Sequence, residues 1–450
     1  MRRGLYPGSA LLTPTLDGHG RTVAHMDLDT FFVSVEILKD ARLKGRPVIV
    51  GGRSDRAVVA SCSYEVRRYG VRSGMAMKLA RRLCPHAIIV GGDADSYSHY
   101  SRLVTEMLAD RVPVYEKSSI DEFYIDLTGM DRFFGCEQYM KETREFIMKE
   151  SGLPMSYGLS ANKLVSKVAT GEAKPCGTLT VNNGSERRFL SPLPIQKMPM
   201  IGDKTGALLR QMGVETIGTL SEIPAIYLEN LLGKNGIELW SRAQGYDDSP
   251  VIPYREQKSI GTESTFENDT IDVRFMRSTL VRMTEEIGFE LRSQNRLTGC
   301  VTVKIRYSDF NTVTRQKIVP YSAADHELLR TANELFEKLY DRRLLVRLIG
   351  VRFSHLVPGN YQIHLWDDTE EMISLYQAID SVKNRFGEAL VKRASGFEEN
   401  SDSGKKTKNK SGLDEPMPVG RVNRNAEKMI SRARLNKTST ENLLPVHKGV

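Results

Sequence analysis

Two short acidic segments sit where acidic residues are expensive. Asp27-Leu28-Asp29-Thr30-Phe31-Phe32 ends the apolar run Thr22-Val23-Ala24-His25-Met26. Ser118-Ser119-Ile120-Asp121-Glu122 leads into a second run holding Phe123, Ile125 and Leu127. Carboxylates beside strands destined for a core are costly unless something cationic meets them. A divalent metal held by Asp and Glu oxygens is the simplest such cation. Neighbours on an ideal strand point to opposite faces. For Asp121 and Glu122 to serve one site with Asp27, the backbone must bend at that point, as at a hairpin tip or bulge. The rival reading of the pair is a solvated turn, against which stand the apolar Ile120, Phe123, Ile125 and Leu127 around it. Asp29, on the same strand end, is expected to face away from Asp27 and to be structural.

The charge balance narrows the chemistry. The chain carries 64 Lys and Arg against 56 Asp and Glu, a net charge of +8. A basic protein is compatible with a polyanionic partner, and two hard metals on such a protein point to phosphoryl transfer on a nucleic acid. Cysteines stand at 62, 84, 136, 176 and 300, with no C-x-x-C spacing. That excludes a disulfide framework or zinc knuckle and fits reduced thiols in a cytoplasmic protein. No two histidines fall at metal-ligand spacing. No run of about 18 apolar residues is present, so no membrane span is expected. Residues 1–20 lack the apolar core of a signal peptide and read as a flexible leader, or as a start codon placed too early.

A chain of 450 residues should hold about three or four domains. Strands are expected at Thr22 to Met26, Val48 to Val50, Val58 to Ser61, Ile88 to Val90, on both sides of Asp121–Glu122, and at Met155 to Leu159. Helices are expected over Phe31 to Leu38, Tyr64 to Tyr69 (closed by Gly70), Ala76 to Leu83, Ser96 to Ala109, Glu137 to Lys149, and from Asn162. The order lacks a strict βαβ rhythm, which implies an α+β layer with an antiparallel sheet. From Ser185 to Gly245 short helices are broken by glycines. Within them Met200-Ile201-Gly202-Asp203-Lys204-Thr205-Gly206 reads as a helix-hairpin-helix turn or an ordinary αα turn. In the former, backbone N–H groups approach a DNA phosphate. After a charged linker near Tyr254 comes a βαββαβ unit, in which Val301, Val303 and Ile305 alternate with Thr302, Lys304 and Arg306. One sheet face would pack on the helices, and the other would be free for a phosphate backbone. Residues 396–450 are rich in Lys, Asn, Ser, Gly and Glu and are expected to be disordered.

Six segments, in order, resemble the motifs of the Y-family translesion DNA polymerases, with the DNA polymerase IV (DinB) type the nearest branch. They are Met26 to Glu36, Ala60 to Val71, Ser119 to Asp126, Gly158 to Lys163, Ala173 to Gly177 and Lys258 to Gly261. The resemblance spans about residues 22 to 395. It implies a multidomain right-hand polymerase: palm (21–31 and 93–181), fingers (32–92), helical thumb (182–250), linker (251–257), little finger (258–395) and tail (396–450).

The resemblance also implies roles. Asp27, Asp121 and Glu122 would be the catalytic carboxylates and, with the Leu28 carbonyl, would hold two Mg2+. Phe32 would be the sugar-discriminating gate, excluding a 2'-OH by collision. Phe31, Ser61, Tyr64, Arg67 and Lys174 would line the nucleotide. Tyr64 and Arg67, three apart, share a helix face, and an arginine fork suits phosphate. Gly202, Lys204, Ser259, Ile260, Gly261, Lys304 and Arg306 would meet primer-template DNA. The family's hairpin begins Pro-Gly-Ile-Gly, where this chain has Pro199-Met200-Ile201-Gly202. Either the turn takes a negative φ at Met200 or the phosphate contact is weakened.

Gln362-Ile363-His364-Leu365-Trp366 is similar to the peptide by which bacterial polymerases hold the sliding clamp. Gln362, Leu365 and Trp366 would be its anchors, with Asn442-Leu443-Leu444-Pro445-Val446 as a rival. The expected function is dNTP addition to a primer 3' end, with low fidelity, lesion bypass and no proofreading, by a monomer. Two other readings are a catalytically inactive DNA- and clamp-binding relative and a nucleotidyl cyclase. The first would have lost metal carboxylates, which are all present here. The second would have no use for the hairpin, the little finger or the clamp peptide.

Overall fold

A computed structural model describes residues 20–130, 135–254, 256–341, 343–359, 369–387, 391 and 393–396. Residues 1–19, both candidate clamp peptides and residues 397–450 lie outside them. The chain divides into two units, the second beginning at Arg255.

The first unit is built around β1 (Val23–Leu28), every residue of which is buried. It continues with α1 (Phe31–Lys39), β2 (Val48–Gly51), β3 (Val59–Cys62), α2 (Tyr64–Arg67), α3 (Met77–Leu83), β4 (Ile88–Val90), α4 (Ala94–Ala109), β5 (Val114–Lys117) and β6 (Glu122–Asp126). Then come α5 (Cys136–Ser151), β7 (Met155–Ser160), α6 (Lys163–Ala173) and β8 (Thr178–Thr180). The main sheet runs β5-β6-β1-β7-β8. It is antiparallel except for β7 with β8, which run parallel, so the expected antiparallel sheet is in fact mixed at one edge. A smaller sheet, β3-β2-β4, also contains one parallel pair, β2 with β4.

The alternation along β1 sets up the site. Ala24, Met26 and Leu28 face a core shared with Phe31, Tyr97, Phe123, Ile125 and Tyr157. His25 and Asp27 face the opposite side, beneath α6. Gly158, paired with His25 on β7, lets α6 come close. A Cβ there would lie 2.3 Å from the Ser166 carbonyl oxygen and 2.6 Å from the Thr170 nitrogen. The Asn162 side chain caps α6 by accepting from the Val165 N–H at 2.9 Å.

Short helices follow: α7 (Glu186–Leu190), α8 (Asp203–Gln211), α9 (Ile217–Glu222), α10 (Ala225–Leu232) and α11 (Lys234–Ala243). Their apolar residues join those of α6 in one core. Met200 takes φ 78, so the turn before α8 keeps the left-handed conformation with a methionine in it. The expectation of a negative φ at this position is excluded. Non-glycine residues adopt this region only at a cost.

The second unit contains β9 (Ser259–Thr270), α12 (Val273–Ser293), β10 (Arg296–Tyr307), β11 (Thr312–Ser322), α13 (Asp325–Leu339) and β12 (Val346–Pro358), the expected βαββαβ order. The antiparallel sheet runs β11-β10-β12-β9, so β9 is an edge. Val301, Val303 and Ile305 are fully buried on the helix side. A further helix, α14 (Thr369–Phe386), was not expected. It docks through Tyr376, which is 1% exposed, and through Asp380. Arg292 on α12 donates to Asp380 (2.7 and 2.9 Å) and to Asp325 (2.6 Å).

Candidate active site

β1 and β6 pair so that Asp27 stands opposite Glu122. Asp121 lies just before β6, in the bend joining β5 to β6. Its carbonyl accepts from the Leu28 N–H at 3.0 Å. The Ser118 and Ser119 N–H groups both donate to the Glu122 carbonyl, and Ser119 Oγ accepts from the Asp121 and Glu122 amides at 3.2 and 3.1 Å. This is the expected hairpin tip, and Ser119 is the side chain that shapes it.

One cavity is lined by Asp27, Leu28, Phe31, Phe32, Ser61, Arg67, Asp121 and Lys174, with Thr30, Ala60 and Ser73. Residues from β1, α1, β3, α2, the β6 bend and the end of α6 thus converge there. Glu122 adjoins Asp27 across the strands but turns toward α6, where Lys167 Nζ donates to its Oε2 at 2.6 Å. The Lys174 ammonium likewise donates to Asp27.

The charges strain this arrangement. Burial raises the Asp27 carboxyl to about 7; Lys174 opposes the rise, and the nearby Asp121 and Glu122 add to it. Glu122 is held well below the usual carboxylate range by the Lys167 ammonium that donates to it. His25 itself is buried, which lowers its pKa and keeps it neutral at pH 7. Its Nε2 lies 3.9 Å from Glu122, beyond hydrogen-bond reach, so the side chains that donate to the Glu122 carboxylate are Lys167 at 2.6 Å and Ser118 at 3.4 Å.

These residues fit a divalent metal site. The donors are hard oxygens, partly buried and mutually repelling, a set that divalent cations relieve. Among the described residues no three His, Cys, Asp or Glu side chains close into a cage. Two lysine ammoniums instead take up the charge of Asp27 and Glu122.

Across the cavity, the Arg67 guanidinium lies over the Tyr64 ring, 4.9 Å from its centroid. Arg67 Nε is buried with no hydrogen-bond partner among the described residues. Phe32 stacks on Tyr97, whose hydroxyl donates to Glu36 at 2.8 Å. Phe31 is 3% exposed and belongs to the core, consistent with a packing residue. The Asp29 carboxylate accepts from Tyr64 and Ser156.

The expected DNA contacts are more scattered. Gly202 precedes α8 with open space above it, and Lys204 is exposed. A groove of about 590 Å³ runs between Lys167 on α6 and Gly202. In the second unit Lys304 is paired with Glu263, and Arg306 donates to Thr312 at 2.9 Å. Ser259 and Gly261 lie on the edge strand, and Gly261 pairs with Arg352. Ile260 is corrected: its side chain is 3% exposed in the core, so only its backbone could reach a ligand.

Sequence reasoning did not single out His25, Ser73, Tyr97 and Lys167, which lie in or beside this cavity. Lys167 is four residues after Lys163 and seven before Lys174, a spacing that puts all three near one side of α6. The others carry no local signal.

Family models, curated relatives and a solved structure match this chain. The model of the impB/mucB/samB family matches residues 26–171, that of its C-terminal domain 257–365, and that of its HHH motif 183–214. A DNA polymerase IV from Dehalococcoides mccartyi is 38% identical over 375 residues, covering 82% of this chain and 96% of that one. DNA polymerase IV of Methanoculleus marisnigri is 38% identical over 343 residues, covering 75% and 95%. That of Clostridioides difficile is 32% identical over 369 residues, covering 81% and 99%. A solved Y-family DNA polymerase chimera superposes with a TM-score of 0.67 at 26% identity, covering 75% of this chain and 100% of that one. With its acidic hairpin, its helical middle segment and its βαββαβ unit all matched in order, the chain belongs to the Y-family DNA polymerases, in the DinB-type branch.

Proposed function

We propose that the protein extends a DNA primer on a template strand, adding dNTPs with low fidelity and bypassing damaged bases. The observation that carries this reading is the single cavity where Asp27 and Asp121 meet Arg67, Lys174 and Phe32. Asp27, Asp121, Glu122 and the Leu28 carbonyl would hold two Mg2+. When bound, these ions would neutralise charge on the triphosphate and favour attack by the primer 3'-OH.

The protein's own groups supply position. Arg67 offers a planar fork to the outer phosphates, and Tyr64 adds a hydroxyl on the same side. Lys174 can exchange the Asp27 carboxylate for a phosphate oxygen as nucleotide enters. Phe32 closes the floor under the sugar. Ser61 keeps the space above small-walled, so a damaged base is not refused. In-line attack on the α-phosphorus releases pyrophosphate, and no second site for removing errors is invoked.

The domain reading follows: palm 21–31 and 93–181, fingers 32–92, thumb 182–250, linker 251–257 and little finger 258–395. The groove from Lys167 to Gly202 suits a strand backbone leading away from the carboxylates. Gln362, Leu365 and Trp366 would dock a sliding clamp. The working form would be a cytoplasmic monomer. No helix among the described residues is long and apolar enough to cross a membrane.

Incubation with primer-template, Mg2+ and single dNTPs tests the reading. Template-directed addition of one nucleotide supports it. DNA binding without extension would favour the inactive relative, and a cyclic product without DNA a cyclase.

A further inference from the structure

Asp29 follows the catalytic strand by one residue, yet it takes no part in the carboxylate cluster. It is 1% exposed, and every polar group it carries has a partner. Its N–H donates to the Pro154 carbonyl at 2.9 Å, and its own carbonyl accepts from Ser34 Oγ at 2.7 Å. Its carboxylate accepts from three separate elements. Ser156 Oγ on β7 donates to Oδ2 at 2.8 Å, and the Cys176 N–H donates to the same oxygen at 2.6 Å. The Tyr64 hydroxyl on α2 donates to Oδ1 at 3.4 Å.

The Cys176 contact matters because of where it falls. Cys176 has φ 49, a left-handed conformation that a non-glycine residue adopts only when its surroundings impose it. The next N–H, of Gly177, donates to Ser156 Oγ at 3.2 Å, so two successive amides are held by Asp29 and its hydrogen-bonded serine. Gly177 has no room for a side chain, since a Cβ would lie 1.9 Å from the Ala173 carbonyl oxygen. This held turn begins at Lys174. One carboxylate therefore grips both the turn that aims Lys174 and the hydroxyl of Tyr64.

We propose that Asp29 is a positioning residue for the incoming nucleoside triphosphate. It sets the spacing between Tyr64 and Lys174, so that both meet the same phosphate tail. The proposal rests on reading Tyr64 and Lys174 as phosphate contacts. A buried carboxylate that served the fold alone would change stability and leave nucleotide affinity untouched.

Steady-state insertion of one correct dNTP separates the possibilities. Lys174→Ala and Tyr64→Phe test the underlying reading: unchanged KM for dNTP in both would remove it, whatever Asp29 does. With that reading intact, Asp29→Ala raises KM about tenfold while kcat at saturation stays within about threefold. Asp29→Asn keeps an oxygen to accept from Ser156 and Cys176, and it returns KM to within about threefold of the parent. In the Asp29→Ala background, Tyr64→Phe adds less than about twofold, because the hydroxyl has already lost its anchor. Ser156→Ala serves if Asp29→Ala does not fold: it loosens the same turn and raises KM by about threefold or more. An unchanged KM in Asp29→Ala, or in Ser156→Ala where that stands in, overturns the proposal. So does an asparagine variant no better than the alanine one.

Discussion

The ring of Phe32 lies flat on that of Tyr97, with centroids 4.2 Å apart and planes 12° from parallel. Phe32 is therefore held at the cavity wall by a residue more than sixty positions away. That second ring is itself fixed by its hydrogen bond to Glu36. A gate that excludes by collision works only if it cannot yield.

Two variants follow. Phe32→Ala removes the wall, and ribonucleotide insertion should rise by about 100-fold or more relative to dNTP. Tyr97→Ala leaves the wall but frees it to tilt, so discrimination should fall by a smaller factor, about tenfold. Competition between rNTP and dNTP on one primer-template measures both. Parent-like discrimination in Phe32→Ala places the gate elsewhere.

Lys167 occupies the carboxylate that a metal would need. Its replacement by methionine removes a hydrogen-bonded ammonium that is about one-third exposed, at 35%, a contact worth about 1 kcal/mol at such exposure. Mn2+ should then bind the DNA-free protein about fivefold more tightly, as read by electron paramagnetic resonance. Weaker Mn2+ binding would mean that Lys167 supports the metal site rather than competing with it.

Met200 holds φ 78 without the freedom of glycine. Met200→Gly should raise the melting temperature slightly, equivalent to about 0.5–1 kcal/mol, and should bind duplex DNA at least as tightly as the parent. A loss of more than about 1 kcal/mol would show that the half-exposed methionine side chain packs in a way that outweighs the backbone strain.

Arg292 is 5% exposed between Asp325 and Asp380. Asp380→Ala leaves one side of a buried guanidinium without its partner, at a cost of about 2–4 kcal/mol. Amide exchange in α14 should accelerate well before that of β10 or β12. If α14 exchanges as slowly as in the parent, its docking rests on Tyr376 and not on the charges.

Much of this was legible in the sequence because period and spacing carried it. The alternation of Val301, Val303 and Ile305 located a central strand, and Phe123, Ile125 and Leu127 marked a buried strand behind Asp121–Glu122, although the bend itself is partly open and Ile120 is exposed. The convergence of Asp27, Arg67 and Lys174 was legible only through the ordered motifs. No local pattern says that α2 and the end of α6 meet over β1. What was missed falls into two kinds. Tyr97, His25 and Ser156 are single polar or aromatic residues in ordinary-looking elements, and their importance comes from what lies opposite them in space. The helix α14 could have been found, since Met372, Tyr376, Ile379 and Lys383 recur at helical spacing. Ile260 was assigned to DNA only through the resemblance of Lys258 to Gly261 to a family motif, and strand alternation turns its side chain inward.

The most direct measurement compares the parent with Asp121→Asn in single-nucleotide extension with Mg2+, alongside DNA affinity for each. The substitution keeps the shape of the hairpin tip and removes one negative oxygen. Extension should fall by about 1000-fold or more while the Kd for primer-template stays within a few-fold. Extension at the parent rate would contradict the assignment of these carboxylates to the chemistry.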